Sequence, residues 1–477
     1  MRARNAFLIA ALAAAPLVQA CSAGDTAASS DDVSSTYKPG CKALAGPTYA
    51  LHGMTILPGG PADAYVVVSG EKITEVATDV SEVPSGAKIV ETGGVIAPGL
   101  IDLHNHVAYD FIPFWNSGKR WQNRYQWARA AAYGTAVKTP YNAVKNAKHM
   151  CEAVKYGEFR AIVGGTTSIE GSDDLSCTRS WARNVEFENF CADHVREYVL
   201  PVTALKQTDA DTLNAQFASG QTTAYIVHLA EGIDDSSRAE FDYMDSIGLI
   251  KPQLVAIHGT ALSVDQLNRM GQVGAKLVWS PLSNLALYGQ TTNIPAAVAA
   301  SITISIAPDW SPSGSSNVLG ELKVADRVNR ERYDNLLTDE QLVDMVTSNP
   351  AKTVGMQDKI GTIAAGLYAD LVVVRGDVAN PYRAVIDAQP ADVLLTTVSG
   401  QAFYGTSDIV GAIGDGRTYE TVDACGEPRS LAVQEQTLPI PGGNETLADV
   451  TGAFTSSGVT NTIPLFQCGP APEFAFH

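Results

Sequence analysis

The chain has 477 residues, 51 acidic against 33 basic side chains and a net charge of −18, and 45% of it is apolar. That apolar share supports a large buried core, and the length suits a barrel of ~250 residues with a second module beside it. The acidic balance excludes nucleic acid or an anionic membrane surface as the main partner, because either calls for a basic patch.

Residues 1–21 read as a lipoprotein-type signal peptide. Arg2 and Arg4 form a positive start, and residues 6–18 form an apolar stretch too short to span a bilayer. Val18-Gln19-Ala20-Cys21 resembles a bacterial lipobox, which makes Cys21 the lipidated first residue; simple cleavage after Ala20 is the alternative. Residues 22–40, rich in Ser, Asp, Ala and Thr, predict a flexible tether. The expected location is outside the bacterial cytoplasm, as a periplasmic or outer-membrane lipoprotein that meets the membrane only through this anchor. Six further cysteines remain: Cys41, Cys151, Cys177, Cys191, Cys425 and Cys468. An even count in an exported chain predicts disulfides, with Cys177 to Cys191 and Cys425 to Cys468 as the local pairings. None has the CxxC spacing of a zinc site, so these cysteines read as structural.

Short strand-like runs follow at 50–56, 64–69, 72–77 and 88–91, with Ser69-Gly70-Glu71 as a hairpin turn. The same texture returns at 361–363, 370–374 and 392–398. Residues 41–93 and 354–405 therefore predict one small β-sandwich built from both chain ends, enclosing a barrel over 94–353. Within the barrel, the apolar run from Gly94 ends in His104-Asn105-His106. Residues 125–133 and 142–155 read as helices, 159–169 as the second strand, and 185–190 and 198–203 as the third and fourth. Later strands stop at His228, at His258, at Trp279 and at Asp309, with helices at 236–247, 263–271, 318–330 and 339–346. Ser263 and Gln266 form a capping box for one of these. Asn349-Pro350 closes the region, and 406–477 reads as an irregular, disulfide-containing extension.

Near-continuous apolar runs separated by helices predict a parallel sheet buried on both faces, and an α/β barrel of this kind places its chemistry at the carboxyl ends of its strands. In a strand, alternate residues share a face, so His104 and His106 project the same way. A lone histidine closing a strand is commonly a hydrogen-bonded core residue. Here four of only eight histidines close apolar runs, followed by Asp309, and a shared metal explains the pattern better.

His104, His106, His228 and Asp309 offer three nitrogens and one carboxylate, a set for one divalent ion, Zn²⁺ ahead of Fe²⁺, with a position left for water. Such an ion lowers the pKa of water from 15.7 to roughly 7 and so supplies a nucleophile at neutral pH. Glu231, three residues beyond His228, is placed to move a proton from that water to the leaving nitrogen. His258 either polarises the nucleophile or substrate, or binds a second ion. A two-metal amidase or dipeptidase-like site needs a bridging group, for which a carboxylated Lys206 is the candidate. A catalytically silent metal-binding surface protein is the third reading.

These segments carry a likeness. Pro98-Gly99-Leu100-Ile101-Asp102-Leu103-His104-Asn105-His106, His228-Leu229-Ala230-Glu231, His258-Gly259-Thr260, Ser280-Pro281-Leu282-Ser283-Asn284, Asp309 and the late run from Lys359 to Val374 together resemble the metal-dependent amidohydrolase superfamily. Within it they look most like the branch of cytosine deaminases, guanine deaminases and triazine hydrolases. The resemblance implies a distorted (β/α)8 TIM barrel with a small β-sandwich, and hydrolysis of a non-peptide carbon-nitrogen bond, or occasionally a carbon-halogen bond, in a small molecule. It implies His104, His106, His228 and Asp309 as metal ligands, Glu231 as proton shuttle, His258 against the water or substrate, and Asp309 also as proton acceptor. Departures at Asn105, Trp279 and Pro308-Asp309-Trp310 leave the metal chemistry intact and bear on the substrate instead. For substrate binding the candidates are Tyr109, Trp115, Arg124, Trp279, Asn284 and Trp310. The loop from Tyr109 to Arg129 is rich in aromatic and arginine side chains, which either form a pocket for a flat or anionic molecule or cover the barrel. A homo-oligomer is compatible with all of this.

Overall fold

The computed structural model describes residues 46–171, 181–186, 194–199, 201–435 and 442–469. Cys21, the tether, Cys177 and Cys191 lie outside these residues. Gly99 is the hinge of the architecture. A Cβ there would stand 2.3 Å from Thr167 Oγ1, so only glycine lets the chain pass at this point from one sheet into another. The apolar run ending at His106, expected as a single strand, is consequently divided between two sheets.

The first sheet holds β1 (Thr48–Leu57), β2 (Gly60–Ser69), β3 (Lys72–Ala77) and β4 (Lys88–Pro98). The barrel strands are β5 (Leu100–Asp102), β6 (Thr166–Ile169), β7 (Arg183–Asn184), β8 (Val195–Tyr198), β9 (Ala224–Leu229), β10 (Leu254–His258), β11 (Lys276–Trp279) and β12 (Ile304–Ile306). The chain then returns to the first sheet through β13 (Leu371–Val374), β14 (Val393–Val398), β15 (Gln401–Gly405), β16 (Glu420–Ala424) and β17 (Glu427–Leu431). The composite sheet runs β16-β17-β15-β14-β13-β4-β1-β2-β3, so both chain ends build it as expected. Its register pairs β4 in parallel with β1 and antiparallel with β13.

Barrel strands fall into two parallel sheets, β5-β6-β7 and β12-β11-β10-β9-β8. Backbone bonds join the last strand to the first beyond their ends: Asp309 N–H donates to His104 O at 3.0 Å, and His106 N–H to Asp309 O at 2.9 Å. Polar residues needed at one place are thus tied together by main chain. Among the described residues no helix is long and apolar enough to cross a membrane.

Several expected elements shift. Residues 159–162 end the helix Met150–Ile162 and are not strand; every position from Ala153 to Ile162 is buried, so the amphipathic rhythm that marks a helix is absent. The second strand is only Thr166–Ile169, after the turn at Gly164-Gly165. The fourth strand is Val195–Tyr198, whereas Val202–Ala204 is a 3₁₀ turn after Pro201. That strand carries Arg196 and Glu197, and two charges in four residues hide a buried-strand signature. The predicted helix over 142–155 is two helices, broken where Lys148 turns left-handed with φ 70°. Residues after Ser407 are less irregular than expected: they supply β16 and β17 and the helices Ser407–Ile413 and Leu447–Ser456. Cys425 bonds to Cys468 as predicted, and Cys151 is also disulfide-bonded.

Candidate metal and hydrolytic site

His104 and His106 follow β5, His228 lies in β9, and His258 ends β10. The parallel register sets Ile257 against His228 and His258 against Leu229, so neighbouring strands deliver both imidazoles at one level. Ring centroids lie 4.7 Å apart for His104 and His228, 5.2 Å for His104 and His106, and 5.1 Å for His104 and His258. Asp309 Oδ1 stands 3.0 Å from His104 Nε2 and 3.6 Å from His106 Nε2. Three residues at the strand ends, Ala230, His258 and Asp309, hold φ of 54°, 65° and 72°. Left-handed backbone at non-glycine positions costs energy and persists where the surroundings enforce it, which is where sites are commonly built.

The donor set fits a divalent cation. Nitrogen atoms of His104, His106 and His228 lie within 4.8 Å of one another, as do ligand atoms of His104, His258 and Asp309. The buried His228 Nδ1 has no hydrogen-bond partner among the described residues. Burial, and then repulsion from His104, lowers His106 to about 4; burial likewise holds His228 and His258 below the usual imidazole range. Burial pushes the Asp309 carboxyl up, but the imidazoles of His104, His258 and His106 outweigh it and hold that carboxyl below the ordinary carboxylate range. Neutral imidazoles beside an ionised carboxylate are the protonation states metal binding requires.

Glu231 lies against this cluster. Its Oε2 is 3.8 Å from His258 Nε2 and 3.8 Å from an Arg124 guanidinium nitrogen, while Oε1 accepts a 2.6 Å hydrogen bond from Tyr288. Ala230 makes the left-handed turn that brings Glu231 back toward the strands, and Gly232, where a Cβ would meet Gln122 O at 2.5 Å, lets the 122–124 segment lie flush on it. His258 Nδ1 meets Asn284 Oδ1 at 2.9 Å. An amide oxygen only accepts, so Nδ1 carries the proton and Nε2 faces the cavity as an acceptor.

A cavity opens over these groups. Of the expected substrate residues, Tyr109, Arg124 and Trp310 line it together with Trp127, Tyr133 and Val199. Trp115, Trp279 and Asn284 do not. Trp279 is fully buried with its indole N–H on Thr291 Oγ1 at 2.7 Å, and Asn284 works from behind His258. Trp115 packs beside Tyr133 at 5.4 Å between ring centroids. Lys206, the candidate bridge of the two-metal reading, is exposed at the start of the helix Gln207–Ser219 and does not line this cavity. Sequence reading missed Tyr288, Ser313 and Val199, because a tyrosine, serine or valine in a loop or helix carries no spacing signal. It also missed Glu170, Glu186 and Glu197, whose carboxylates gather within 4.8 Å beyond and along the second to fourth barrel strands. Burial, then the nearby Glu197 charge, pushes Glu170 and Glu186 well above the usual carboxylate range.

This strand-end geometry coincides with a family. The profile of the amidohydrolase family matches residues 95–403, and the chain belongs to that family. It is a metal-dependent hydrolase by that membership. Among its relatives, 5'-deoxyadenosine deaminase of Methanobrevibacter smithii is 23% identical over 352 residues, covering 66% of this chain and 80% of that protein. The fold is shared with an adenosine deaminase from Xanthomonas campestris solved with bound zinc, at TM-score 0.60 and 15% identity, covering 87% of this chain and 98% of that one. It is also shared with atrazine chlorohydrolase from Arthrobacter aurescens complexed with zinc, at TM-score 0.60 and 16% identity, covering 86% and 99%.

Proposed function

We propose that the protein hydrolyses a carbon-nitrogen bond of a small, flat molecule in a deaminase-type reaction, using one divalent ion, zinc first, held by His104, His106, His228 and Asp309. The observation that carries this reading is the convergence of Glu231 Oε2, His258 Nε2 and the His-Asp cluster at the floor of one aromatic-walled cavity. Relatives named for adenosine derivatives support the substrate class.

A divalent ion held there supplies Lewis acidity and acidifies water. The chain does the rest. Neutral His258 presents Nε2 as a hydrogen-bond acceptor, oriented by Asn284. Glu231 Oε2 takes one proton from attacking water and Asp309 takes the second; both are passed on to substrate nitrogens, one leaving with the ammonia and the other ending on the ring nitrogen beside the new carbonyl. Tyr109, Trp127, Tyr133 and Trp310 wall the ring of the substrate and exclude bulk water, which strengthens each charge interaction at the floor. Arg124, buried with a guanidinium nitrogen 3.8 Å from Glu231 Oε2, places a positive charge beside that carboxylate.

Ammonia release across aminopurine nucleosides, cyclic amidines, lactams and acyl amino acids identifies the substrate. With it, chelation abolishes turnover, one zinc equivalent restores it, and Glu231→Gln lowers kcat by about 10²–10⁴-fold with metal content unchanged. Wild-type turnover in Glu231→Gln, or a chain that binds no metal, would refute the reading. A dependence on two ions would restore the binuclear alternative. From sequence alone we further propose export with Cys21 lipidated, tested by lipid labelling of wild type against Cys21→Ser.

A further inference from the structure

Two hydrogen-bond chains of the same construction end on the two carboxylates. In one, the indole N–H of Trp127 donates to Tyr288 Oη at 2.8 Å, and Tyr288 donates to Glu231 Oε1 at 2.6 Å. In the other, the indole N–H of Trp310 donates to Ser313 Oγ at 2.5 Å, Ser313 meets Ser283 at 2.8 Å, and Ser283 donates to Asp309 Oδ2 at 2.5 Å. Their direction is forced. An indole can only donate and an ionised carboxylate can only accept, so every hydroxyl between them must accept from the tryptophan side and donate toward the acid. Tyr288, Ser283 and Ser313 are buried, so no water competes for these bonds.

Each chain occupies one oxygen and leaves the other. Glu231 Oε1 is taken by Tyr288 while Oε2 faces His258 Nε2 at 3.8 Å. Asp309 Oδ2 is taken by Ser283 while Oδ1 faces His104 Nε2 at 3.0 Å. Both starting indoles line the cavity, with ring centroids 5.9 Å apart. We propose that Tyr288 and the Ser313–Ser283 pair are positioning residues that let the two cavity-facing tryptophans, Trp127 and Trp310, set the rotation of Glu231 and Asp309. The wall that receives the substrate ring is thereby wired to the groups that move its protons.

The physical basis is general. A carboxylate without a bond to its rear oxygen rotates about its last single bond and spreads its front oxygen over several directions. A charge-assisted bond to the rear oxygen removes that freedom before substrate arrives. The tryptophans add a second level, because a ring stacked on the indole holds the donor that holds the acid. This inference rests on the proposed role of Glu231, and the experiment separates the two.

With the substrate found by ammonia release, Tyr288→Phe removes one hydroxyl and is expected to lower kcat about 10- to 100-fold, with KM and zinc content little changed. Trp127→Phe lowers kcat in the wild-type background and has no further effect on kcat in the Tyr288→Phe background, because both act through one chain. Losses that multiply in the double variant, or a Tyr288→Phe enzyme with wild-type kcat, overturn the proposal. If Tyr288→Phe does not fold, the second chain decides: Ser283→Ala loses kcat and Ser283→Thr, which keeps the hydroxyl, recovers it, whereas equal rates in both variants overturn the proposal. Failure of the parent reading looks different, since Glu231→Gln itself would then keep wild-type turnover.

Discussion

Replacing Asn284 by alanine isolates the orientation of His258. The amide oxygen of Asn284 accepts the Nδ1 proton at 2.9 Å, and its nitrogen lies 3.3 Å from the hydroxyls of both Thr291 and Thr292. Those hydroxyls have other partners, Trp279 Nε1 and His258 O, so the group left stranded is the buried imidazole N–H. Stranding a buried donor costs about 1–3 kcal/mol, and if that cost falls on the transition state it lowers kcat by about 5- to 150-fold. Asn284→Asp keeps the acceptor but adds a charge that favours imidazolium, pulling His258 up from its depressed value. If the neutral ring is the working form, this variant loses activity at acid pH and regains it as pH rises through the new pKa. The assays are kcat and KM across pH with a thermal melt of each protein. Wild-type kcat/KM in Asn284→Ala together with an unshifted acid limb in Asn284→Asp would refute the orientation argument.

Gly171 has φ +88°, and a Cβ there would come within 1.8 Å of Asn105 O, between the two paired histidines. Gly171→Ala should therefore reduce zinc retained per chain, measured by elemental analysis, whereas Gly60→Ala, at φ +109° with open space around it, should only lose stability. Equal zinc content in both variants would count against the coupling. Burial raises the Glu321 carboxyl from 4.5 to about 8, so between those values the unfolded chain releases a proton the folded chain keeps, and stability falls as pH rises through that window. Glu321→Gln preserves an acceptor for Leu282 N–H and should flatten that slope in melts from pH 5 to about 8; parallel curves would show the group is not responsible. Opening the Cys425–Cys468 bond, which closes a separation of 43 residues, should cost about 4 kcal/mol by chain entropy. Limited proteolysis of Cys468→Ser should then cut first near residues 459–469, and an unchanged cleavage pattern would mean that packing alone holds the tail.

What one strand's residues say about themselves was readable in the chain. Periodicity and end residues marked the barrel strands that close with His228, His258 and Asp309, because buried parallel strands are continuous apolar runs and their polar terminators stand out against them. The same strand-end residues gave the ligand set, the strand texture at both chain ends gave the composite sheet, and the fold places both chain ends in that sheet. Local physics was insufficient where burial removes the rhythm, as in the wholly buried helix ending at Ile162, or where charge interrupts a strand, as at Arg196 and Glu197. Nor could sequence choose which aromatic side chains face the cavity, since Trp127 and Trp279 look alike in the chain and only packing puts one on the wall and the other in the core. The hydrogen-bond chains through Tyr288 and Ser283 belong wholly to the tertiary structure. Their members lie 57 and 26 residues from the carboxylates they hold, and a bond over that separation exists only once the strands have closed and water has been expelled.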